Sequence, residues 1–149
     1  VPSGRPLLMF ILDTNVVSEL RRVASGRAAP GVVAWANATH VGAMFVSSIT
    51  LLELELGVLG IERRDSRSGA ILRDWLETRV LSAFDGRFLP VDVAVARRCA
   101  ALHVPDPRAE RDALIAATAL VHGMTVVTRN VRDFEPMGVE LVNPWVEAR

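Results

Sequence analysis

The chain has 149 residues, of which 50% are hydrophobic, and it carries no net charge at pH 7; this length predicts a single domain. All 17 basic side chains are arginine, and the absence of lysine excludes chemistry that depends on a lysine ammonium group. Cys99, the single cysteine, excludes an internal disulfide framework and fits a small core residue in a reducing cytoplasm, and no run approaches the ~18 apolar residues of a membrane-spanning helix.

The first residues, Val1 to Pro6, contain no initiator methionine. We interpret residues 1–8 as a remnant of an expression tag and expect the natural protein to begin at Met9. The predicted domain then covers residues 9–146, and Asp13 lies close to its N-terminus.

The predicted elements alternate between short apolar runs and amphipathic stretches. A short continuous apolar run fits a strand buried on both faces, whereas apolar side chains three and four residues apart predict a helix. In chain order we predict a strand at 8–12, helices at 16–22 and 32–39, a strand at 44–48, helices at 50–60 and 71–81, a strand at 88–91, helices at 93–103 and 112–121, and strands at 125–127 and 140–142. Turns are predicted at 63–68, 104–107 and 129–134, and Gly123 is expected to cap the helix before it.

Strands that alternate with helices predict an α/β fold, in which a mainly parallel sheet is covered by helices on both faces. In such sheets ligands bind at the carboxyl ends of the strands. The residues that follow each strand are therefore the first candidates for a functional site.

Acidic or polar side chains follow most of the predicted strands. Asp13 comes directly after the first strand, and Glu53 lies in the first turn of the helix after the second. Asp112 opens the helix before the fourth strand, and Asn130 and Asp133 lie in the turn after it. Carboxylates that converge raise each other's pKa unless a cation neutralises them. Mg²⁺ or Mn²⁺ suits such ligands and can activate water for attack on a phosphodiester, which makes a metal-dependent hydrolase the predicted class.

Each of these acids also has a purely structural interpretation. Thr50 and Glu53 have capping-box spacing, in which Glu53 would only return a hydrogen bond to the Thr50 amide. Asp112 is an acid that the helix dipole favours at an N-terminus. Asp13 is an ordinary helix cap, although a carboxylate directly after a buried strand needs a partner, and Asp133 fits an exposed turn residue equally well.

Other polar groups carry weaker signals. The three histidines show no metal-ligand spacing, and with one cysteine a zinc site is not expected. Arginine pairs at 21–22, 63–64 and 97–98 fit contacts to RNA phosphates, but they fit a solvated surface too. Asp65 beside the second pair allows a local ion pair, so no site is assigned to these arginines.

Several motifs occur in a fixed order along nearly the whole chain, from about Met9 to Trp145. They are FILDTNV at 10–16, SITLLELELG at 48–57, DALIAATA at 112–119, VTRNVRDF at 127–134 and a closing NPW at 143–145. Together they resemble the PIN-domain ribonucleases, and specifically the VapC/FitB-type toxins of bacterial toxin–antitoxin pairs. The closing motif is similar to the FitB-like branch. One such motif would carry little weight, whereas this series in order is specific.

The resemblance implies a single PIN-like domain with a five-stranded, mainly parallel sheet of order 3-2-1-4-5, and an Mg²⁺-dependent endoribonuclease. It carries three acidic positions, as metal ligands and catalytic groups, to Asp13, Glu53 and Asp112. Polar neighbours that orient acids, water or phosphate are implied at three further positions: Thr14, Asn15 and Thr128.

The resemblance leaves the fourth acidic position open. Some relatives place an aspartate where this chain has Asn130, whereas others rely on the acid of an Asp-Phe pair, here Asp133 and Phe134. We assign a catalytic role to Asp133 and a supporting role to Asn130. A missing fourth carboxylate would leave less negative charge and weaken the binding of a second metal ion.

The resemblance also implies partners. Relatives form dimers and are inhibited by a small antitoxin, whose C-terminal segment wraps the toxin and can insert a basic side chain into the acidic pocket. We therefore expect an RNA substrate, a cognate VapB/FitA-type antitoxin, and a homodimer or a higher toxin–antitoxin assembly that contacts DNA through the antitoxin, with no membrane association. The high apolar content agrees with a covered surface, and equally with a core rich in Leu, Val and Ala.

Rival classes fit only parts of the pattern. Haloacid-dehalogenase-like phosphatases need Asp-x-Asp, where this chain has Asn15, and both they and receiver domains use a lysine. P-loop NTPases need a Gly-Lys-Ser/Thr triplet, and no G-x-G-x-x-G turn follows the first strand. A PIN-like binding module that has lost catalysis is the remaining alternative, and the set of Asp13, Glu53 and Asp112 argues against it. None of the motifs predicts which RNA is cleaved.

Overall fold

The computed structural model describes residues 8–146, which contain a five-stranded parallel sheet. Its strands are β1 (Phe10–Leu12), β2 (Met44–Ser47), β3 (Phe88–Leu89), β4 (Thr125–Val127) and β5 (Leu141–Val142). Their order across the sheet is β3-β2-β1-β4-β5. In the centre of the sheet, Ile11 of β1 lies beside Phe45 of β2 and Val126 of β4. The predicted fold class and the implied strand order are confirmed.

Helices connect successive strands and cover the sheet. They are α1 (Thr14–Leu20), α2 (Pro30–Ala38), α3 (Ser48–Arg64), α4 (Ser66–Trp75), α5 (Leu81–Ala83), α6 (Val93–Leu102), α7 (Glu110–His122) and α8 (Val131–Phe134). A π-helical turn, Leu76–Val80, joins α4 to α5. Pro30 occupies the first turn of α2, where its missing N–H costs nothing. Gly123 ends α7 in the left-handed conformation with φ 65°, so the predicted glycine cap is confirmed.

Each face of the sheet has its own hydrophobic core, because successive strand side chains point to opposite faces. Ile11 and Val126 belong to the core that is completed by α6, α7 and α8. Leu12 and Val127 belong to the core that is completed by α1, α3 and the π-helical turn. All four side chains are fully buried, which explains why these strands read as continuous apolar runs. Cys99 is buried in the first core, as predicted.

The charged turn predicted at 63–68 is wrong, because α3 continues to Arg64 and α4 begins at Ser66. Asp65 makes this tight corner possible: its side chain accepts hydrogen bonds from the amides two and three residues further on. Gly69 lets the two helices approach, since a Cβ atom there would collide with the backbone of Glu62. The charged residues at 63–68 therefore form a tight corner between α3 and α4, at which Asp65 caps α4.

Smaller differences occur at the ends of elements. β1 begins at Phe10 rather than residue 8, the helix predicted at 71–81 is divided between α4 and the π-helical turn, and the turn predicted at 129–134 includes the short helix α8. The expected tag remnant at 1–8 lies outside the described residues except for Leu8, which is exposed. Within residues 8–146, no helix is both long enough and apolar enough to cross a lipid bilayer.

Candidate active site

The carboxyl ends of the three central strands form one edge of the sheet, and a polar residue follows each strand. Asp13 follows β1 and caps α1, Thr128 follows β4, and α3, which carries Glu53, continues directly from β2. The Asp13 amide donates to the Val127 carbonyl at 2.9 Å, so the parallel pairing of β1 and β4 extends up to the site.

Asp13 is almost completely buried, with 5% of the residue exposed, and its carboxylate accepts three hydrogen bonds. Its Oδ1 accepts from the Thr14 amide at 2.8 Å. Its Oδ2 accepts from the Thr128 hydroxyl at 2.7 Å and from Asn15 Nδ2 at 3.3 Å. Asp13 is thus the helix cap that the sequence allowed, and its second oxygen is also tied to the end of β4.

Thr128 links the neighbouring polar residues to one another. Besides donating to Asp13, its hydroxyl accepts from the Asn130 amide at 2.9 Å, and Asn15 Nδ2 lies 3.5 Å away. Asn15 Oδ1 accepts from the Arg129 amide at 3.3 Å. The side chain of Asn130 makes no capping hydrogen bond to α8. The implied polar neighbours Thr14, Asn15 and Thr128 therefore all surround the first acid, whereas Asn130 contributes its backbone.

Glu53 does not form the predicted capping box. α3 begins two residues earlier than expected, and its cap is Ser47, whose hydroxyl accepts from the Ile49 amide at 3.0 Å. Thr50 is fully buried in the helix. Glu53 Oε1 instead accepts a 2.6 Å hydrogen bond from the Thr14 hydroxyl. The capping-box interpretation is wrong because α3 begins at Ser48 and not at Thr50. Glu53 instead bonds to Thr14, the residue that follows Asp13.

Asp112 lies in the first turn of α7 and faces the other acids. Its pKa is raised to about 6, first by burial and then by the negative charges of Asp13, Asp133 and Glu53, in that order. Within residues 8–146 its carboxylate accepts no hydrogen bond from another residue. A helix-dipole role alone does not explain an acid that is repelled by three others.

The same repulsion acts on Asp13, whose pKa is also raised. Burial is the main cause, the hydrogen bonds from Thr128 and Thr14 oppose it, and the charges of Glu53 and Asp133 add to it. Asp133 lies in the first turn of α8 and is exposed. The structure therefore brings four carboxylates into one electrostatic neighbourhood, and Asp133 supplies the fourth charge.

Positive charge near these acids is scarce. Arg111 Nη1 lies 3.6 Å from Glu53 Oε2, and no other cation in residues 8–146 is within 4.0 Å of the four carboxylates. Among the same described residues, no three acidic, histidine or cysteine side chains are close enough to form a ready-made metal cage. The site is an open cluster of acids with one loosely placed arginine.

Two contacts at the site have no counterpart in the sequence reasoning. Ser47 and Ser48 precede a helical run, and this N-cap signal could have placed the start of α3 correctly. Arg111 directly precedes Asp112, but nothing local indicates that it reaches Glu53 on another helix. That contact depends on how α3 and α7 are arranged around the sheet.

Sequence comparisons agree with this geometry. The family model described as PIN domain matches residues 10–138. "VapC ribonuclease Y4jK" from Sinorhizobium fredii is 37% identical over 145 residues, which cover 94% of this chain and 100% of that protein. "Toxin FitB" from Neisseria gonorrhoeae is 38% identical over 144 residues, which cover 92% of this chain and 99% of that protein.

Solved structures show the same similarity over the whole fold. A structure of FitAB bound to an IR36 DNA fragment has a TM-score of 0.85 at 34% identity, and it covers 95% of this chain and 99% of the other. A crystal structure of FitAcB from Neisseria gonorrhoeae has a TM-score of 0.83 at 36% identity, covering 92% and 99%. With a family model that spans most of its length and relatives matched nearly end to end, this chain belongs to the PIN domain family.

Proposed function

We propose that the chain is a metal-dependent endoribonuclease and the toxin of a toxin–antitoxin pair. The observation that carries this proposal is the grouping of acids at the carboxyl edge of the sheet, where the negative charges of Glu53 and Asp133 help to raise the pKa of both Asp13 and Asp112. The similarity to proteins named VapC ribonuclease and toxin FitB supports the choice of substrate and of biological role.

The donor set fits a hard divalent cation. All three candidate ligands, Asp13, Asp112 and Glu53, are carboxylates, which suit Mg²⁺ and Mn²⁺. Mg²⁺ is commonly held by one or two carboxylates, with water completing its octahedron, so a cage of three converged side chains is not required. We assign the ion to Asp13 and Asp112, with Glu53 as the third acid. Bound there, it would lower the pKa of a water molecule and polarise a phosphoryl oxygen.

The protein groups around this position have distinct tasks. Asp13 is oriented in advance by its hydrogen bonds to Thr14, Asn15 and Thr128, and such support strengthens metal ligands. Asp112 has no such partner in residues 8–146 and can turn towards an ion. The pKa values of Asp13 and Asp112 are raised because, within the described residues, their negative charges are buried among other acids without a neutralising cation. A bound cation would favour the ionised forms of both groups.

We assign the fourth acidic position to Asp133 rather than to Asn130. The charge of Asp133 raises the pKa of both Asp13 and Asp112, which requires it to lie near both carboxylates. Asn130 carries no charge, and its amide donates to Thr128. We therefore propose that Asp133 orients water or the substrate, and that Asn130 positions the turn.

We further propose that a VapB/FitA-type antitoxin covers the site and that the toxin forms a homodimer, which contacts DNA through the antitoxin. The structural neighbour that contains FitAB bound to DNA supports such an assembly. An exposed apolar stripe on α3 supports a second chain: Leu52, Leu56 and Leu59 repeat at helical spacing and are 44%, 46% and 54% exposed.

Cleavage of RNA by the purified full chain, separated from any antitoxin, tests the proposed activity. After treatment with EDTA, cleavage should be absent, and Mg²⁺ or Mn²⁺ should restore it. Asp112→Asn should abolish cleavage while the thermal unfolding curve stays cooperative. Asp74→Asn is the matched control, since Asp74 is exposed on α4 and outside the site.

Two outcomes would contradict the proposal. Cleavage that persists in EDTA, or that survives in Asp112→Asn, would exclude the metal mechanism. A folded, antitoxin-free chain that cleaves no RNA with either metal would instead support the inactive PIN-like binding module.

A further inference from the structure

A groove of about 600 Å³ opens beside the carboxylate cluster. Thr14, Asn15 and Glu53 line it beside the acids, and its other walls are formed by α1, α3, α4, Arg129 and Trp145. Its floor is apolar and includes Leu54 of α3. The groove therefore adjoins the proposed catalytic site, because Thr14, Asn15 and Glu53 belong to both.

Unneutralised positive charge distinguishes this groove from the carboxylate site. Four arginines line it: Arg21, Arg22, Arg64 and Arg129. All four are exposed. Arg22 lies 3.5 Å from Glu19, whereas the other three have no carboxylate within 4.0 Å in the described part of the chain. Among residues 8–146, the groove thus presents three arginines without a carboxylate partner, together with the Arg22–Glu19 pair and Glu53 at the end beside the acids.

Two of these arginines stack on tryptophan rings. The Arg129 guanidinium lies 5.3 Å from the centre of the Trp145 ring, and that of Arg21 lies 6.0 Å from the Trp75 ring. Stacking holds the planar cation and leaves its N–H edge free, and this edge matches a phosphate in a bidentate manner. The outer plane of a guanidinium held in this way is a surface on which an unpaired base can stack.

Arg129 is tied directly to the catalytic cluster. Its amide donates to Asn15 Oδ1 at 3.3 Å, and Asn15 Nδ2 donates to Asp13 Oδ2 at 3.3 Å. The backbone of Trp145 is held as well, since its amide donates to Asn143 Oδ1 at 3.0 Å. A phosphate held by Arg129 would therefore lie next to the position of the phosphodiester to be cleaved.

We propose that this groove binds the single-stranded RNA on one side of the cleaved phosphodiester, with its arginines on backbone phosphates and with unstacked bases against the guanidinium planes that the tryptophans support. The inference rests on the proposed ribonuclease function, which supplies the substrate class. An apolar peptide would fit the floor, but it would leave the cations unused. Planar cations that are held on aromatic rings complement a chain of phosphates and bases.

Binding in EDTA tests the groove separately from catalysis. The probe is a fluorescein-labelled single-stranded RNA of mixed sequence, about twelve nucleotides long, measured by fluorescence anisotropy with the full chain. Arg129→Ala and Trp75→Leu should each weaken binding by about fivefold or more. Arg129→Ala should also reduce the slope of log affinity against log salt concentration by about 0.7, the value for one lost phosphate contact on a single strand.

Two further variants test whether the planar guanidinium of Arg129 matters beyond its charge, and whether the position of that charge in the groove matters. Arg129→Lys should keep the salt slope and recover only part of the affinity, since it retains the charge but not the planar fork. Arg132→Ala removes the same charge three residues away, outside the groove, and should bind as the wild type does. A cooperative thermal unfolding curve for each variant is the control for correct folding.

RNA affinity that is unchanged in both Arg129→Ala and Arg64→Ala would overturn the inference and leave the groove to a protein segment. An equal loss in Arg132→Ala would overturn it as well, because the effect would then be general charge. A chain that binds RNA through the groove but does not cleave it with Mg²⁺ would contradict the proposed function alone.

Discussion

Two clusters of charge lie on helix α3, and they differ in how the acids are neutralised. On the side that packs against α4, Arg73 donates to both Glu55 oxygens at 2.9 and 2.8 Å and to both Glu62 oxygens at 3.1 and 3.3 Å. Glu77 completes this cluster at 3.5 Å. In the second cluster, Glu53, two residues before Glu55, adds its negative charge to those of Asp13, Asp112 and Asp133, and its nearest arginine, Arg111, lies 3.6 Å away.

The comparison separates a structural ion-pair cluster from the proposed functional site. The carboxylates around Arg73 raise the pKa of its guanidinium, so the charged state of that cluster is favoured. In the other cluster burial and repulsion raise the pKa of Asp112 to about 6, so its charged state is disfavoured. Acids that lack an internal counter-ion in a folded protein are candidates for binding an external one.

Replacing Asp13 by Asn should have the strongest effect on activity. Since Asn caps a helix as well as Asp does, the unfolding temperature should stay the same or rise, whereas RNA cleavage should fall by at least about 100-fold because a metal ligand loses its charge. Asp92→Asn is the matched control: Asp92 caps α6 by accepting from the Val95 amide at 3.0 Å, away from the site. A comparable loss of cleavage in Asp92→Asn would attribute the effect to capping instead.

Glu53 and Glu55 should respond in opposite ways, although they lie two residues apart on one helix. Glu53→Gln keeps an oxygen acceptor for the Thr14 hydroxyl, so it should remain stable while cleavage falls by about tenfold or more. Glu55→Gln weakens the pairing with Arg73 and should lower the unfolding temperature without changing cleavage per folded molecule. Equal behaviour of the two variants in both assays would remove the distinction between the clusters.

Thr128→Val should weaken metal binding without removing a ligand. The Thr128 hydroxyl orients Asp13 Oδ2, and losing such a supporting group typically costs about tenfold in metal affinity. Thr118→Val removes an equally buried hydroxyl, which donates to the Leu114 carbonyl within α7, and should leave the affinity unchanged. Mn²⁺ affinity is the measurement, and identical values for the two variants would contradict the supporting role.

The smallest expected effect is on stability against pH in the metal-free protein. Folding raises the pKa of Asp112 from 3.8 to about 6, so the folded state holds this proton more tightly than the unfolded state. The stability that this group contributes is present below the lower value and is lost as pH rises through the higher one. In EDTA, wild type should therefore lose a few degrees relative to Asp112→Asn between about pH 5 and about pH 7. A constant difference would show that Asp112 has an ordinary pKa.

The sequence was most informative where one element decides the outcome locally. β4 matches its predicted range because a buried apolar run is bounded by the Gly123 cap and by Thr128. Asp13 was identified because a carboxylate at the end of a buried strand has few other uses. A parallel sheet with its ligand edge at the strand ends already predicts that Asp13, Glu53 and Asp112 can converge, whereas the strand order is implied only by the family resemblance.

The sequence was least informative where contacts join distant segments. A charged run looks like a turn, but Asp65 and Gly69 make it a corner between packed helices. Capping-box spacing at Thr50 misled because the true cap, Ser47, still belongs to the end of a strand. The choice between Asn130 and Asp133 also depends on where the short helix α8 directs its first turn. A local sequence pattern predicts none of these three features, because each depends on how separate segments pack together.

Counting bound Mn²⁺ by electron paramagnetic resonance tests most directly whether the unneutralised acids hold a cation. We predict that the metal-free chain binds Mn²⁺ saturably, that Asp112→Asn loses this binding, and that Glu55→Gln retains it. Mn²⁺ binding that is the same in wild type and Asp112→Asn, or that is lost in Glu55→Gln, would contradict the assignment of the metal to the site at the end of β1.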